Sequence, residues 1–254
     1  MSRECGRGSE GEAEFAEAMV YTFPDSDTLS EGAASHIAEL ASATFERCGR
    51  FSLVLSGGKT PSGTYRVLAR KLTSSQWNMV HVYWGDERCV PPSSVDSNYR
   101  MAQRSLLDIA CIPSSQVHRI EAEDPDSANA AERYDEIFPE RPDLLVLGVG
   151  SDGHTASLFP KSPLLHEEHA RFAPVQAPVD PRKRISLAPL GIKSASNILV
   201  LVSGEGKADA VKRVFHKQGD IFETPARLVT DAVWFVTEGA AGAVPEFARS
   251  ADRR

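Results

Sequence analysis

A histidine stands just beyond the most apolar segment of the sequence. Leu144–Val149 is apolar throughout, as strands buried on both faces of a parallel sheet tend to be. A glycine-rich stretch that includes Asp152 and His154 follows it directly. Because an imidazole titrates near neutral pH, a histidine at the end of such a strand can accept a proton from water. We predict that His154 is a general base; a purely structural histidine is the alternative.

The glycines around this histidine also match another pattern. Gly148, Gly150 and Gly153 have the spacing of the GxGxxG dinucleotide fingerprint. That fingerprint requires a following helix, whereas Pro160 and Pro163 interrupt the segment that comes next. We therefore interpret the glycines as a bend that presents the histidine, and we predict no nicotinamide cofactor.

A second glycine-rich loop follows the apolar strand Phe51–Leu55. Ser56, Gly57 and Gly58 lead into a predicted helix with Thr60 at the N-cap and Pro61 at the first helical position. Glycines let backbone N–H groups approach an anion closely, and the helix N-terminus adds a positive dipole end. The loop is predicted to cradle a phosphate; a plain tight turn is the alternative. It is not a P-loop, since the first glycine of that motif would fall within the strand.

Charged side chains cluster after a third apolar strand, Val80–Trp84. Asp86, Glu87 and Arg88 come directly after it, with Asp96-Ser97-Asn98 eight residues further on. A guanidinium placed at a strand end can bind an anionic group of a substrate, or it can pair with the carboxylates beside it.

Two further cations are candidates for the phosphate site. Arg184 precedes a short predicted strand, and Lys207 begins a predicted helix. Each alone is typical of a solvated surface charge. Together with the glycine loop they could complete a phosphate site.

The elements that would position these residues alternate along the chain. The predicted strands are Val20–Phe23, Phe51–Leu55, Val80–Trp84, Leu144–Val149, Ile185–Leu187, Ile198–Val202 and Val233–Val236. The predicted helices are 25–48, 60–72, 97–110, 126–138 and 206–216. This alternation predicts an α/β fold, a Rossmann-like mostly parallel sheet flanked by helices in a single domain. Residues 1–17 are predicted to be a disordered tail, and residues 18–254 the catalytic domain.

The composition excludes several classes of function. The 254 residues include 35 acidic and 28 basic side chains, which give a net charge of −7. Nucleic-acid binders need a basic face, so no nucleic-acid partner is expected. No apolar run is long enough to span a bilayer, no secretory signal begins the sequence, and the four scattered cysteines fit free thiols. We expect a cytoplasmic protein with no membrane partner. The HEEH at 166–169 lacks metalloprotease spacing, and no metal site is predicted.

Several segments resemble one known family. SGGKTP, WGDERCVPPSSVDSNYRMA, DLLVLGVGSDGHTASLFP, RISLAP, GEGKADAV and TPARLV occur in this order over roughly residues 50–236. They resemble the 6-phosphogluconolactonases, and DGHTASLFP is the most specific of them. The resemblance implies a fold related to glucosamine-6-phosphate deaminase. It implies hydrolysis of 6-phospho-D-glucono-1,5-lactone to 6-phosphogluconate, the second step of the oxidative pentose phosphate pathway, with no metal and no cofactor.

The resemblance also implies roles for individual residues. His154 would deprotonate water, and Asp152 would orient the imidazole of His154. Arg88 would stabilise negative charge at the lactone carbonyl, and Asp86 would fix the position of Arg88. Ser56, Gly57, Gly58 and Thr60 would bind the phosphate together with Arg184 and Lys207. Ala188 and Thr237 depart from the family pattern.

Two other functions remain open from the sequence. Sugar-phosphate deaminases share the SGG-TP and DGH segments, although Arg88 and the TASLFP segment after His154 favour the lactonase. A non-catalytic phosphosugar sensor is the other alternative. The sequence does not give the oligomeric state.

Overall fold

The computed structural model describes residues 19–216 and 218–242. The predicted tail, residues 1–17, lies outside the described residues. None of the helices within these ranges combines the length and apolar character needed to cross a membrane.

A six-stranded parallel sheet forms the centre of the fold. Its strands are β1 (Met19–Phe23), β2 (Phe51–Leu55), β3 (Val80–Trp84), β5 (Leu144–Gly148), β8 (Ile198–Val202) and β9 (Val233–Thr237). They lie in the order β1-β9-β8-β5-β2-β3. Four of the five residues of β5 are fully buried, because the strand lies inside the sheet with helices on its faces. The predicted parallel sheet is confirmed, and so are all six of its predicted strands.

Helices cover the sheet. They are α1 (Ser26–Cys48), α2 (Lys59–Leu68), α3 (Ser74–Trp77), α4 (Asn98–Ala102), α5 (Asp108–Ala110), α6 (Ser127–Ile137), α7 (Pro189–Lys193), α8 (Ala208–Phe215) and α9 (Glu238–Ala241). In α1 the Asp25 side chain accepts from the backbone N–H groups of Asp27 and Thr28, and Gly49 ends the helix in the left-handed conformation. A stripe at three- and four-residue spacing is buried: Leu29, Ala33, Ala34, Ile37, Ala41 and Thr44.

A smaller antiparallel sheet stands beside the first. It contains β4 (Asp86–Arg88), β6 (Phe172–Gln176) and β7 (Lys183–Leu187) in the order β4-β7-β6. Of these, only β7 was predicted. The three residues of β4 are all charged and show no apolar alternation. Pro174 interrupts the alternation of β6; this strand can contain a proline because it lies at the edge of its sheet.

Two helices differ from their predicted form. Gly58, at a φ of 111°, is the N-cap of α2, so the helix begins before the predicted Thr60 cap. The Thr60 hydroxyl lies 2.7 Å from that of Ser203 instead. The predicted helix 97–110 is interrupted by a π-helical segment, Gln103–Leu107, which lies between α4 and α5.

The strand order fixes where a ligand can bind. After β3 the chain returns to the other side of β2 and forms β5. The loops after β2 and β5 therefore leave the sheet in opposite directions and open a crevice beyond the carboxyl ends of the strands. Both glycine-rich loops of the sequence lie at this crevice.

A pair of histidines lies on β3 and the segment after it. The Nδ1 atom of His81 is 3.0 Å from the Nε2 atom of His118, and the ring planes differ by 12°. Burial lowers the pKa of His81, and the charge of Arg50 lowers it further. Burial likewise lowers the pKa of His118, with His81 as the second cause.

These two pKa shifts predict how stability depends on pH. An unfolded histidine titrates near pH ~6.5, above the pKa values of the folded pair, so the unfolded chain binds more protons as the pH falls below that value. Stability should therefore fall on acidification from pH 7.5 to 5.5. Thermal melts at the two pH values should show that the Tm of the wild type falls by about 2 °C more than the Tm of His81→Gln. Equal losses in both proteins would contradict this origin.

Candidate active site

A cleft of about 400 Å³ opens at the crevice. Every predicted site residue except Asp152 lines it. The lining residues come from the loops after β2, β5 and β8, from strands β4 and β7, and from the first turns of α2 and α4.

His154 is held by Asp152. Its Nδ1 atom lies 2.6 Å from Asp152 Oδ1, and its backbone N–H donates to the same oxygen at 3.1 Å. Burial opposes ionisation of the Asp152 carboxyl, but the hydrogen bonds and charge of His154 outweigh it and lower the pKa. With the Nδ1 proton directed to the carboxylate, Nε2 is left as the acceptor. This is the geometry of an oriented base.

The backbone around His154 explains the glycines. Gly153 has a φ of 92°, which favours glycine, and a Cβ on Gly150 would collide with the His154 ring. Further contacts fix the turn: Thr155 Oγ1 donates to the Gly148 carbonyl at 2.9 Å, and Arg213 Nη2 donates to the Ser151 carbonyl at 2.7 Å. Only a short 3-10 helix, Pro163–His166, lies between His154 and the next strand, β6, so the segment lacks the α-helix that follows a dinucleotide-binding turn.

The two carboxylates of β4 serve different neighbours. Glu87 is buried, and its carboxylate accepts from the backbone N–H groups of Asn98 and Tyr99 at 2.8 Å each, which caps α4. Burial raises the pKa of Glu87, although these hydrogen bonds oppose the rise. Asp86 lines the cleft instead.

The prediction that Asp86 fixes Arg88 is wrong. Asp86 accepts from Ser157 Oγ at 2.6 Å and from Asn98 Nδ2 at 3.1 Å. Arg88 donates through Nη1 to the backbone carbonyl of Asp96 at 2.5 Å. The reason is that two separate segments, the start of α4 and the segment after His154, bring neutral donors to the carboxylate, while the carbonyl of Asp96 accepts from the guanidinium.

Arg88 and Arg184 face each other across the small sheet. They are direct partners in the register of β4 and β7. Arg184 is only 6 % exposed. Burial lowers its pKa, and the charge of Arg88 lowers it further. Neither arginine forms an ion pair with any carboxylate of residues 19–216 and 218–242, and Arg88 Nε is buried without a partner.

Ser157 connects this arginine pair to Asp86. Its hydroxyl donates to Asp86 and accepts from Arg184 Nη1 at 3.4 Å. Two guanidinium groups held together, with no ion-pair partner among the described residues, favour an anion between them. Arg184, which was predicted beside Lys207, lies next to Arg88.

The glycine-rich loop after β2 forms another wall of the cleft. A Cβ on Gly57 would collide with the Asn98 side chain, which explains the glycine there. The first hydrogen bond of α2 runs from Ser62 N to the Gly58 carbonyl at 3.1 Å, and the N–H groups before it have no partner within the helix. Ser56 Oγ is buried and unpaired. The wall offers donors to an anion.

Four residues at the cleft or next to it were not selected from the sequence, and three of them, Lys59, Asn98 and Ser203, line it. Asn98 belongs to the motif noted after β4, and Ser157 to the segment after His154. Ser203 follows β8, and its hydrogen bond with Thr60 joins the loops after β8 and β2. Lys59 was not selected either, although it is a cation in the first turn of a helix.

The cleft is locally basic in an acidic protein. Four cations line it (Lys59, Arg88, Arg184 and Lys207), against one carboxylate, Asp86. Beside them stands a histidine whose acceptor nitrogen is free. This arrangement can bind an anionic ligand, activate a water and stabilise negative charge as it develops. Within the described ranges, no group of three or more His, Cys, Asp or Glu side chains is suitable for holding a metal ion.

The sequence profile of the glucosamine-6-phosphate isomerases/6-phosphogluconolactonase matches residues 24–236. A 6-phosphogluconolactonase of Mycobacterium tuberculosis is 34% identical over 242 residues, which cover 89% of this chain and 98% of the relative.

Solved structures show the same fold. The 6-phosphogluconolactonase of Trypanosoma brucei superposes with a TM-score of 0.79 at 26% identity, covering 91% of this chain and 100% of the other. A monomeric glucosamine-6-phosphate deaminase gives a TM-score of 0.78 at 20% identity, covering 89% of this chain and 99% of the other. The second likeness concerns the fold alone.

Proposed function

The chain belongs to the family of glucosamine-6-phosphate isomerases/6-phosphogluconolactonase, and from this we propose that it hydrolyses 6-phospho-D-glucono-1,5-lactone to 6-phosphogluconate. That reaction is the second step of the oxidative pentose phosphate pathway. The observation that carries the proposal is His154, oriented by Asp152, in one cleft with two arginines that form no ion pair among the described residues. Ester hydrolysis requires a base for water and a cation for the oxyanion.

The proposed reaction starts with water. Nε2 of His154 takes a proton as the water oxygen bonds to the lactone carbonyl carbon, and Asp152 stabilises the imidazolium. Arg88 donates to the oxyanion of the tetrahedral intermediate, with Arg184 beside it. The bond from that carbon to the ring oxygen then breaks, and the imidazolium returns the proton to the leaving oxygen. The resulting carboxylic acid loses its proton to solvent, and the product carboxylate remains beside the arginine pair.

The phosphate end is proposed to lie at the glycine-rich loop. Gly57, Gly58 and Thr60 offer the start of α2, Ser56 offers its hydroxyl, and Lys207 adds a charge. Asp86 is assigned a positioning role through Ser157. We further propose that the enzyme needs no metal ion and works in the cytoplasm.

The direct test compares two substrates. The purified protein should accelerate opening of freshly made 6-phosphogluconolactone, followed by proton release, and should release no ammonia from glucosamine 6-phosphate. Activity should survive exhaustive chelation with EDTA. Ammonia release at a comparable rate would overturn the assignment, and recovery by a divalent ion after chelation would overturn metal independence. Binding without turnover would instead favour the phosphosugar sensor.

Lys207 provides a test of the phosphate end. Lys207→Ala should raise KM for the phosphorylated lactone about tenfold or more, since a hydrogen bond to a charged group contributes about 1.5–3 kcal/mol. Hydrolysis of unphosphorylated glucono-1,5-lactone should change little. Steady-state kinetics with the two lactones would check this. Equal effects on both would remove Lys207 from the phosphate site.

A further inference from the structure

Lys59 is a cation of the cleft that the proposed reaction does not use. It is the first residue of α2, directly after the Gly58 N-cap. It lines the cleft. It forms no ion pair with any of the carboxylates in residues 19–216 and 218–242. A lysine at the positive end of a helix is not stabilised by the helix dipole. Its position is therefore better explained by binding of an anionic ligand than by the stability of the protein alone.

The hydroxyl pair of Thr60 and Ser203 joins the two segments that carry Lys59 and Lys207, and both lysines line the same cleft. The Thr60 Oγ1 and Ser203 Oγ atoms are 2.7 Å apart, so the first turn of α2 contacts the loop after β8. Lys59 is adjacent to Thr60. The loop from Ser203 forms a turn in which Lys207 N donates to the Gly204 carbonyl at 3.0 Å. Both lysines therefore begin helical segments that flank one hydroxyl pair.

Arg184 occupies a different place. Its cross-strand partner is Arg88, its guanidinium lies 5.3 Å from the Phe159 ring, and its Nη1 contacts Ser157. His154 packs on the same Phe159 ring at 4.5 Å. Arg184 is thus grouped with the base and the predicted oxyanion cation, not with the glycine-rich loop.

A second observation points to a ligand at the lysine end. Ser56 is 4 % exposed, and its hydroxyl has no hydrogen-bond partner among the residues that the structure describes. A buried hydroxyl without a partner carries an energetic penalty that a bound acceptor removes. Ser56 lines the cleft beside Gly57 and Lys59. A tetrahedral anion there could accept from the hydroxyl, from the backbone N–H groups that open α2 and from both lysines.

We propose that Lys59 and Lys207 together bind the phosphate of the substrate, and that Arg184 acts at the lactone end. Lys59 is then a specificity-determining residue that selects phosphorylated over unphosphorylated lactones. The identity of the substrate in this inference rests on the proposed function. The position of the bound anion does not depend on it.

The experiment uses Lys59→Gln, Lys59→Arg, Arg184→Lys and a control, Lys193→Gln, whose side chain lies on α7 outside the cleft. Lys59→Gln should raise KM for 6-phosphogluconolactone about fivefold to tenfold and weaken inhibition by inorganic phosphate to the same degree. Its kinetics with unphosphorylated glucono-1,5-lactone should stay within about twofold of wild type. Lys59→Arg should restore most of the loss, and the control should match wild type. Arg184→Lys should slow both lactones alike.

Two results would overturn the proposal. One is an unchanged KM and an unchanged inhibition constant for phosphate in Lys59→Gln. The other is a phosphate-selective defect in Arg184→Lys with none in Lys59→Gln. Calorimetric titration of the same proteins with inorganic phosphate separates this inference from the function. If the wild type does not open the lactone, the proposed function fails, while a loss of phosphate binding in Lys59→Gln would still support the assignment of Lys59.

Discussion

Replacing His154 with alanine is expected to reduce kcat for lactone opening by about 10²-fold or more, the contribution typical of a general base. Binding of 6-phosphogluconate should persist, because the base acts on water and the cations that hold the ligand remain. The structure supports this expectation through the 2.6 Å contact with Asp152, which leaves Nε2 as the acceptor. Asp152→Asn should lower kcat less, since an amide oxygen can still accept from Nδ1 while the charge is lost.

The control for this prediction is His169→Ala. His169 is exposed and does not line the cleft, so kcat should not change. Single-turnover kinetics would separate the chemical step from product release. If kcat of His154→Ala stays within about threefold of wild type, His154 is not the base.

Arg88 is expected to be the second most sensitive position. Arg88→Lys and Arg88→Ala should both lower kcat/KM by about 10²-fold, the cost typical of losing one oxyanion donor. One arm of the guanidinium is used by the carbonyl of Asp96 at 2.5 Å, and the other is free for the oxyanion. A lysine ammonium keeps the charge but cannot reproduce the planar fork.

A matched control is Arg66→Lys, an exposed position on α2 where geometry should not matter. The comparison of kcat/KM among the three variants tests geometry directly. A fully active Arg88→Lys enzyme would show that charge alone is sufficient at this position. A large loss in Arg66→Lys would show that the effect is not specific to the cleft.

Much of the fold could be predicted because its strands carry a strong signal. The apolar runs of β2, β3, β5 and β8 indicated a parallel sheet, and alternation with helices placed the loops at one edge. The position of His154 followed, because a residue just after a central strand must lie at that edge. Asp152, two residues away, lies within reach of the imidazole.

The parts that failed depend on contacts between distant segments. Strand β4 is three charged residues long, and it forms only because β7 pairs with it. The partners of Asp86, namely Asn98 and Ser157, come from segments that no local pattern connects. The pairing of Arg88 with Arg184 across β4 and β7 is likewise set by the tertiary structure. Sequence patterns therefore brought the candidate residues to one cleft, but they did not predict the neighbours of those residues.

The alternation of β4 also limits how this chain can evolve. Successive side chains of a strand point to opposite faces, so Asp86 and Arg88 share the cleft side while Glu87 lies on the other and caps α4. Inserting or deleting one residue within β4 would point the Glu87 side chain into the cleft and would point the side chains of Asp86 and Arg88 away from it. The loop from Cys89 to Asp96 has no such constraint of parity. Length variation among descendants of this sequence should therefore accumulate in that loop and be absent from the strand before it.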